Sequence, residues 1–307
     1  MTLWSDAHIF VYHRFGDSRH PTTSTSKEEL VKEFEYFKSN GYEVVSLGTL
    51  VEKLKKQEPI PDNWIVLTID DNYKSFYQNG FEIFKRYNYP FSMFVYVEAT
   101  QKRYPDYMSW EELKEISSLG SLEYHSYSHP HMTYTDSKKL REDFKKGLKI
   151  FKKYLGFTPK YFSYPYGEYS KRVKDISKEF GFEAIINQNM GAVSKKSDIF
   201  DLDRSALVGK TNLKYYLKFR YLDAKWIEPK GYPKNDILKT LHVKLNKEAN
   251  SAGLYISGYG WQKIPVRKNE IKTTLNKKLQ KARNRVILSV NNEISTKLLI
   301  KDKYGTK

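Results

Sequence analysis

Strand-like and helical patterns alternate along the chain from residue 8 to about residue 220. The continuous apolar run 65–69 is typical of a strand buried on both faces. The sequence from Ser26 to Glu29 has the capping-box form that begins a helix. Repeated strand–helix units predict an α/β fold with a parallel sheet, either doubly wound or closed into a barrel. In both folds, chemistry is located where strands end and loops begin.

The pattern changes near residues 229–233, which read Pro-Lys-Gly-Tyr-Pro. Short alternating apolar segments follow, and they indicate a small β-sandwich. We therefore predict two domains, residues 1–230 and residues 231–307.

The second predicted domain is strongly basic. Residues 231–307 contain 17 Lys or Arg against five acidic residues, in a chain whose net charge is +17. Such a segment is expected to face an anionic partner, for example an acidic glycan, a cell-wall polymer or lipid headgroups. A generally basic proteome explains the charge equally well. Specific nucleic-acid binding would require motifs that the sequence does not contain.

Several classes of protein are excluded by composition. No apolar run approaches the roughly 20 residues of a membrane helix, and the absence of cysteine excludes disulfides and thiolate chemistry. The first six residues lack the features of a signal peptide. The chain is thus expected to be cytosolic or to have lost a leader.

Two adjacent carboxylates, Asp70 and Asp71, directly follow the apolar run 65–69. Their mutual repulsion must be offset. A metal ion bound by one carboxylate would do so and would leave the other as a base. The alternative is a helix cap with a solvated neighbour.

Three of the seven histidines lie within residues 125–131, after another predicted strand. The spacing of His125 and His129 allows both imidazoles to face one divalent ion. Two histidines and a carboxylate with an open position are typical of a catalytic zinc-type site. His131 is expected to form local hydrogen bonds or to face substrate.

A third strand end carries the turn Pro165-Tyr166-Gly167. Such a turn can direct a backbone N–H into a cleft, where it stabilises an oxyanion. An ordinary strand-ending turn is the alternative.

Together, these three segments resemble the motifs of the polysaccharide deacetylases with a NodB-homology domain (carbohydrate esterase family 4). Asp70-Asp71 matches the Asp-Asp pair of the family, residues 125–130 match its His-Ser/Thr-x-x-His-Pro motif, and residues 165–167 match its Pro-Tyr/Phe-Gly turn. The resemblance extends over about residues 8–220.

The resemblance implies a distorted (β/α)7-type barrel that removes N-acetyl groups from an amino-sugar polysaccharide. Asp71, His125 and His129 would hold one divalent metal, with Zn²⁺ expected and Ni²⁺, Co²⁺ or Fe²⁺ as alternatives. Asp70 would be the general base, and Tyr166 would offer its backbone N–H to the oxyanion. A periplasmic or extracellular monomer is expected.

The general acid is where the sequence departs from the common family pattern. Many members supply a late histidine, but His242 lies in an alternating strand of the second domain and is interpreted as structural. His13, at the end of the first predicted strand, is the better candidate. The subgroup that deacetylates poly-N-acetylglucosamine in biofilms has a similar Tyr-His segment. A buried histidine at a strand end is the alternative.

Two further departures concern the base. Asn72 replaces the usual Gly after the Asp pair, which is tolerable because Asn also adopts left-handed conformations. Ser163 stands where many members have an Arg that orients the base. Arg204 is predicted to replace that Arg, with ordinary ion pairing to Asp201 or Asp203 as the alternative.

Aromatic residues beside the motifs are candidates for a sugar-binding groove, although core packing is their commoner role. The predicted substrate-binding residues are Tyr73, Trp110, Tyr127, Tyr164 and Pro165.

Two other functions are compatible with parts of the sequence. A glycoside hydrolase would need carboxyl groups about 5–10 Å apart across a sugar ring, which an adjacent pair supplies poorly. A non-catalytic glycan-binding protein would leave the Asp and His residues unexplained.

Overall fold

The computed structural model describes residues 6–305 of the 307-residue chain. Residues 1–5, on which the prediction about a signal peptide rests, lie outside the described residues. Within residues 6–305, every helix is too short or too polar to cross a lipid bilayer.

Residues 6–219 alternate strands and helices. The strands are Asp6–Tyr12 (β1), Arg14–Phe15 (β2), Ser24–Thr25 (β3), Glu43–Val45 (β4), Trp64–Asp70 (β5), Ser92–Val95 (β6), Ser121–Tyr124 (β7), Tyr161–Ser163 (β8), Ala184–Ile186 (β9), Val193–Ser194 (β10) and Ser205–Ala206 (β11). The helices are Lys27–Ser39 (α1), Leu47–Lys55 (α2), Phe81–Tyr87 (α3), Val97–Gln101 (α4), Trp110–Ile116 (α5), Ser137–Leu155 (α6), Lys171–Lys178 (α7) and Leu213–Tyr216 (α8).

The strands form a curled, mostly parallel sheet. Its neighbours run β1, β5, β6, β7, β8 and β9, and β11 pairs in parallel with the other edge of β1. Leu202, just before β11, pairs with Ile186 of β9. Residues 202–206 therefore contact both edges, and the sheet curls into a distorted barrel. Strand β4 also pairs in parallel with β5, and β10 pairs antiparallel with β1. The predicted fold class is confirmed, and the doubly wound alternative is wrong.

The helices surround this barrel with their apolar faces inward. Helix α1 begins as its sequence predicts, because the Ser26 side chain accepts a hydrogen bond from the backbone N–H of Glu29. Its Leu30, Phe34 and Phe37 are fully buried. Burying each such side chain contributes about 1.5–3 kcal/mol.

Helix α6 packs very closely against the barrel. A Cβ atom added to Gly147 would lie 2.1 Å from the hydroxyl oxygen of Tyr124 on β7. Glycine at this position lets the helix approach the strand, and this approach helps to place the loop that follows β7.

The C-terminal part is a sandwich of two sheets whose strands pair mostly antiparallel. Its strands are Arg220–Tyr221 (β12), Ala224–Glu228 (β13), Ile237–Leu245 (β14), Ser251–Ile256 (β15), Gly260–Pro265 (β16), Glu270–Lys278 (β17), Arg283–Val290 (β18) and Glu293–Ile300 (β19). One sheet has the order β12-β19-β18-β15-β16, and the other has the order β13-β14-β17. Buried side chains from both sheets, such as Leu241 and Leu288, form one apolar cluster.

The domain boundary at residue 230 stays a prediction, but strand pairing places the start of the sandwich earlier. Strand β12 pairs with β19, and β13 pairs with β14. Residues 220–228 thus belong structurally with the C-terminal strands.

The sandwich is fixed to the barrel by buried and partly buried contacts. Arg220 donates to Asp6 at 3.0 Å, and Arg172 of α7 donates to Asp302 at 2.8 Å. A small apolar cluster of Phe219, Ile287 and Ile294 also packs against Met190.

Candidate active site

The candidate site lies at the carboxyl ends of the parallel strands, as the fold predicts. A pocket of about 630 Å³ opens there. The lining residues that sequence analysis had singled out are His13, Asp70, Asp71, Tyr73, His125, His129 and Tyr166.

Three of these side chains converge as metal ligands would. The nearest ligand atoms of Asp71, His125 and His129 all lie within 4.8 Å of one another. Asp71 Oδ1 is 3.0 Å from His129 Nε2 and 3.4 Å from His125 Nε2. Among residues 6–305, this buried oxygen nevertheless has no partner with hydrogen-bond geometry. A buried, unpartnered carboxylate oxygen facing two imidazole nitrogens fits a divalent cation.

The hydrogen bonds of His125 support the same interpretation. Its Nδ1 lies 2.8 Å from the carbonyl oxygen of Ser163, which can only accept. The Nδ1–H therefore donates to Ser163, and Nε2 keeps its lone pair for a metal. Ser163 thus orients a predicted ligand, which the sequence did not reveal.

The backbone is held in uncommon conformations at all three motifs. Asp71, His129 and Tyr166 have φ angles of 71°, 51° and 58°, in the left-handed region that side-chain-bearing residues rarely occupy. Such strain is maintained by its surroundings and is concentrated at functional sites. Asn72, with a φ of 43°, takes the left-handed conformation that its sequence position predicts.

A carboxylate on α6 anchors the loop that carries His129. Asp143 accepts hydrogen bonds from the backbone N–H groups of Tyr127 and Ser128, both at 2.9 Å. The hydroxyl of Ser126 accepts from the N–H of His129 at 2.9 Å. These bonds fix the left-handed turn that directs the second imidazole toward Asp71.

Asp70 is held by a buried arginine. Arg204 is fully buried, and both of its terminal nitrogens donate to the Asp70 carboxylate, Nη1 at 2.8 Å. Arg204 Nε donates to the carbonyl of Asn187 at 2.7 Å. Burial alone would raise the pKa of Asp70, but the charges of Arg204 and His125 lower it. Arg204 therefore lies where the sequence placed it, and its pairing with Asp201 or Asp203 is not seen among the described residues.

Two further histidines have distinct environments. Among the described residues, the buried Nδ1 of His13 has no hydrogen-bond partner. Burial lowers the pKa of His13, while the charges of Asp70 and Asp71 oppose that shift. His242 lies on β14 and bonds to Glu270 on the neighbouring strand, away from the pocket.

The Tyr166 turn is braced from both domains. The ring of Tyr166 stacks on His131, with centroids 4.2 Å apart, and His131 Nδ1 lies 2.8 Å from Glu168 Oε2. On the other side, Arg283 of β18 donates to the carbonyl oxygen of Tyr166 at 2.5 Å. The sandwich therefore contacts the turn directly.

Only one of the five predicted substrate-binding residues lines the pocket. Tyr73 does so, with the guanidinium of Arg14 3.6 Å from its ring centroid. The other four are buried and do not line the pocket, and a substrate-binding role for them stays a prediction. Trp110 stacks on Tyr154, the Tyr127 ring is covered by the ammonium of Lys146, Tyr164 is fully buried against Tyr169, and Pro165 is buried.

The structure adds lining residues that the sequence did not indicate. They are Thr22, Thr23, Tyr96, Tyr107, Ser128, Gln188, Ala206, Val208 and Arg283. Tyr96 contacts the ring of His129, with centroids 5.3 Å apart. No local sequence pattern distinguishes these residues, because they reach the pocket only through the folding of distant segments.

Comparisons with known proteins agree with this geometry. Residues 57–185 match the family model described as polysaccharide deacetylase. The poly-beta-1,6-N-acetyl-D-glucosamine N-deacetylase of Escherichia coli K12 is 24% identical over 243 residues, covering 66% of this chain and 36% of the relative. The Staphylococcus aureus MRSA252 protein of the same name is 22% identical over 208 residues, covering 64% of this chain and 71% of the relative.

The fold is also found among solved structures. IcaB from Ammonifex degensii superimposes with a TM-score of 0.59 and 23% identity, covering 69% of this chain and 94% of that protein. This chain spans little more than a third of the Escherichia coli relative. The segment that carries Asp70, Asp71, His125 and His129 belongs to the polysaccharide deacetylase family.

Proposed function

We propose that the protein is a metal-dependent hydrolase that removes N-acetyl groups from an N-acetylated amino-sugar polysaccharide and releases acetate. The observation that carries this proposal is the convergence of Asp71, His125 and His129 beside a separately held carboxylate, Asp70. The names of the Escherichia coli and Staphylococcus aureus relatives favour a poly-N-acetylglucosamine-like substrate.

Asp71, His125 and His129 would hold the metal. When bound there, a divalent ion would polarise the amide carbonyl and make water a stronger nucleophile. Zinc suits two imidazoles and one carboxylate, and nickel, cobalt or iron are alternatives.

The remaining roles belong to the residues around this triad. Asp70 removes a proton from the attacking water, and Arg204 keeps the carboxylate ionised and fixes its orientation. The backbone N–H of Tyr166 stabilises the developing oxyanion. The leaving amine needs a proton, and His13, which lines the pocket, is the proposed donor.

The alternatives are less well supported by the site. Among residues 6–305, the pocket is lined by no acidic residue other than Asp70 and Asp71. Both carboxylates are already engaged by cationic or imidazole groups, so a glycoside hydrolase would lack its neutral carboxylic acid. A non-catalytic glycan-binding role gives no reason for a strained and fully assembled triad.

We further propose that the enzyme acts as a monomer in the periplasm or outside the cell, and that residues 231–307 associate with an anionic envelope surface. The excess of basic residues in this segment supports the association. Gel filtration tests the monomeric state, and sedimentation with anionic vesicles tests the association of residues 231–307.

Acetate release from β-1,6-linked N-acetylglucosamine oligomers tests the enzymatic proposal. The zinc-loaded protein should release acetate, chelation should stop the reaction, and Asp70→Asn should lower kcat by about 10²–10⁴-fold. Asp175→Asn on α7, an exposed carboxylate in a surface ion pair, is the matched control. Acetate release that survives chelation, or a fully active Asp70→Asn, would contradict the mechanism.

A further inference from the structure

A second cavity of about 840 Å³ lies between the barrel and the sandwich. It shares Gln188, Ala206 and Arg283 with the catalytic pocket. We refer to it as the interdomain cleft. Because the two cavities share three wall residues, they are adjacent.

The interdomain cleft carries positive charge without compensation. Lys281, Arg283 and Arg285 line it, and no acidic residue between 6 and 305 does so. In the same range, none of these three cations forms an ion pair. The fourth cation of the lining, Arg204, is already neutralised by Asp70.

Burial disfavours the charged form of the Arg283 and Arg285 guanidinium groups. Burial lowers the pKa of Arg283 to about 10, and the nearby charge of Arg285 acts in the same direction. Burial also lowers the pKa of Arg285. Two partly buried guanidinium groups cost free energy of folding, and the negative charge of Glu168 offsets this cost only in part at Arg283. A bound anion would remove that cost.

Arg283 also keeps unused hydrogen-bond donors. Its Nη1 donates to the Tyr166 carbonyl. Its Nε and Nη2 are buried and have no partner among the described residues. Arg285 Nη2 donates to the carbonyl of Gln188 at 3.2 Å, which fixes the second guanidinium beside the first. Guanidinium donors bind carboxylate and phosphate oxygens strongly.

Aromatic rings complete the walls of the cleft. Tyr215 and Trp261 are 45% and 50% exposed, and Trp261 contacts Tyr255 with ring centroids 5.5 Å apart. Exposed aromatic faces beside hydrogen-bond donors suit the apolar face of a sugar ring.

We propose that the interdomain cleft is a subsite for an acidic sugar residue of the polysaccharide, whose carboxylate or phosphate binds Arg283 and Arg285 while the neighbouring N-acetyl sugar occupies the catalytic pocket. This proposal rests on the proposed deacetylase function and adds to it a preference for polymers with acidic residues; neutral N-acetylglucosamine oligomers would still occupy the catalytic pocket but would bind less tightly. A neutral polymer would leave the cations unpaired, and a deacetylated segment would carry ammonium groups that the cleft repels.

Binding of matched oligosaccharides to the zinc-loaded protein tests the subsite. The acidic probe is a hexasaccharide of alternating N-acetylglucosamine and glucuronic acid. The control is the same hexasaccharide with every carboxyl group reduced to an alcohol. Titration calorimetry should show at least about tenfold tighter binding of the acidic probe, as expected for one charge-assisted contact.

Variants locate the effect within the cleft. Arg285→Gln should abolish most of the preference for the acidic probe. Lys281→Gln should reduce it less, because Lys281 lines the cleft but is not one of the two proposed anion ligands. Lys263→Gln, on the exposed strand β16 and outside the cleft, changes the net charge equally and should retain the preference. Arg283→Gln should both weaken binding and lower kcat, because Arg283 also braces the Tyr166 turn.

Competition distinguishes the two sources of anionic oxygen. Glucuronic acid displaces the probe better if the subsite takes a carboxylate, and N-acetylglucosamine 6-phosphate displaces it better if it takes a phosphate. Equal binding of the acidic and reduced probes, or a preference that persists in Arg285→Gln, would overturn the subsite even if acetate is released. Absence of acetate release with an intact preference would instead overturn the deacetylase function.

Discussion

The catalytic pocket and the interdomain cleft differ in whether their buried charges have partners of opposite sign. In the pocket, Asp70 is matched by Arg204, and Asp71 is matched by two imidazoles. In the cleft, Arg283 and Arg285 lie close enough to repel each other, and no acidic residue between 6 and 305 lines the cavity. In the pocket, each carboxylate thus has a partner, and the triad offers a site for a cation. In the cleft, the unpaired guanidinium groups offer a site for an anion. On the two proposals made above, the pocket performs the reaction and the cleft selects the substrate.

The largest expected effect follows from removing the carboxylate of the metal triad. Asp71→Asn leaves two imidazoles without the anionic ligand, so zinc affinity should fall by about 100-fold or more and turnover should become unmeasurable. Competition with a chromophoric chelator measures the affinity. Asp136→Asn, at the exposed N-cap of α6, is the control. Unchanged zinc binding in Asp71→Asn would break the comparison, because the pocket would then not be a cation site.

A smaller effect is expected from the arginine that orients the base. Arg204→Lys keeps the positive charge but loses the two-nitrogen contact with Asp70. We expect kcat to fall about 10–100-fold with zinc affinity unchanged. The acid limb of the pH profile of kcat/KM should move to higher pH, since Arg204 lowers the pKa of Asp70. An unchanged pH profile would show that Arg204 only fills the core.

A third prediction concerns a buried acid of the barrel that has no cation. Burial raises the pKa of Glu33 to about 8 from its usual 4.5, although the Tyr12 hydroxyl donates to it at 2.7 Å. The folded state therefore binds this proton more tightly than the unfolded state. The stabilisation is fully present below pH 4.5 and is lost as the pH rises through about 8.

Denaturant unfolding between pH 4.5 and 8 measures this effect. The unfolding free energy should decrease with pH by at least about 1 kcal/mol more in the wild type than in Glu33→Gln. Glu52→Gln, which changes an exposed carboxylate of α2, should keep the wild-type slope. Parallel slopes in all three proteins would show that the barrel tolerates an ionised, unpaired carboxylate.

The smallest expected effect is the salt dependence of substrate binding. Raising the ionic strength from about 0.1 M to 1 M shortens the screening length from about 10 Å to 3 Å. Affinity for an acidic oligosaccharide should fall several-fold, while zinc affinity should change little. Salt-independent binding would indicate that stacking on Tyr215 and Trp261, rather than charge, dominates in the cleft.

The barrel and its metal triad could be predicted because their signals are local. Asp70 ends β5, Asp71 follows it, and His125 and His129 lie in the loop after β7. Parallel strands bring such ends together. Arg204 could be placed for the same reason, since it precedes β11. The role of each residue remains a prediction until the variants are measured.

The groove residues could not be predicted by proximity to a motif. Tyr127 and Tyr164 adjoin motif residues in sequence, but successive residues point in different directions, and both rings face the core. Arg283 reaches the pocket from a strand 117 positions away from Tyr166. Its contribution depends on how two domains dock, and no periodicity in the sequence encodes that arrangement.

The hydrogen bond from Arg283 to the Tyr166 carbonyl has a consequence for engineering. The turn that is proposed to receive the oxyanion is braced by a residue of the sandwich. Removing the sandwich should therefore change the rate of the reaction itself, and the barrel alone would not be a minimal version of the same enzyme. Chimeras that join this barrel to a foreign C-terminal module should therefore change reaction rate as well as polymer preference.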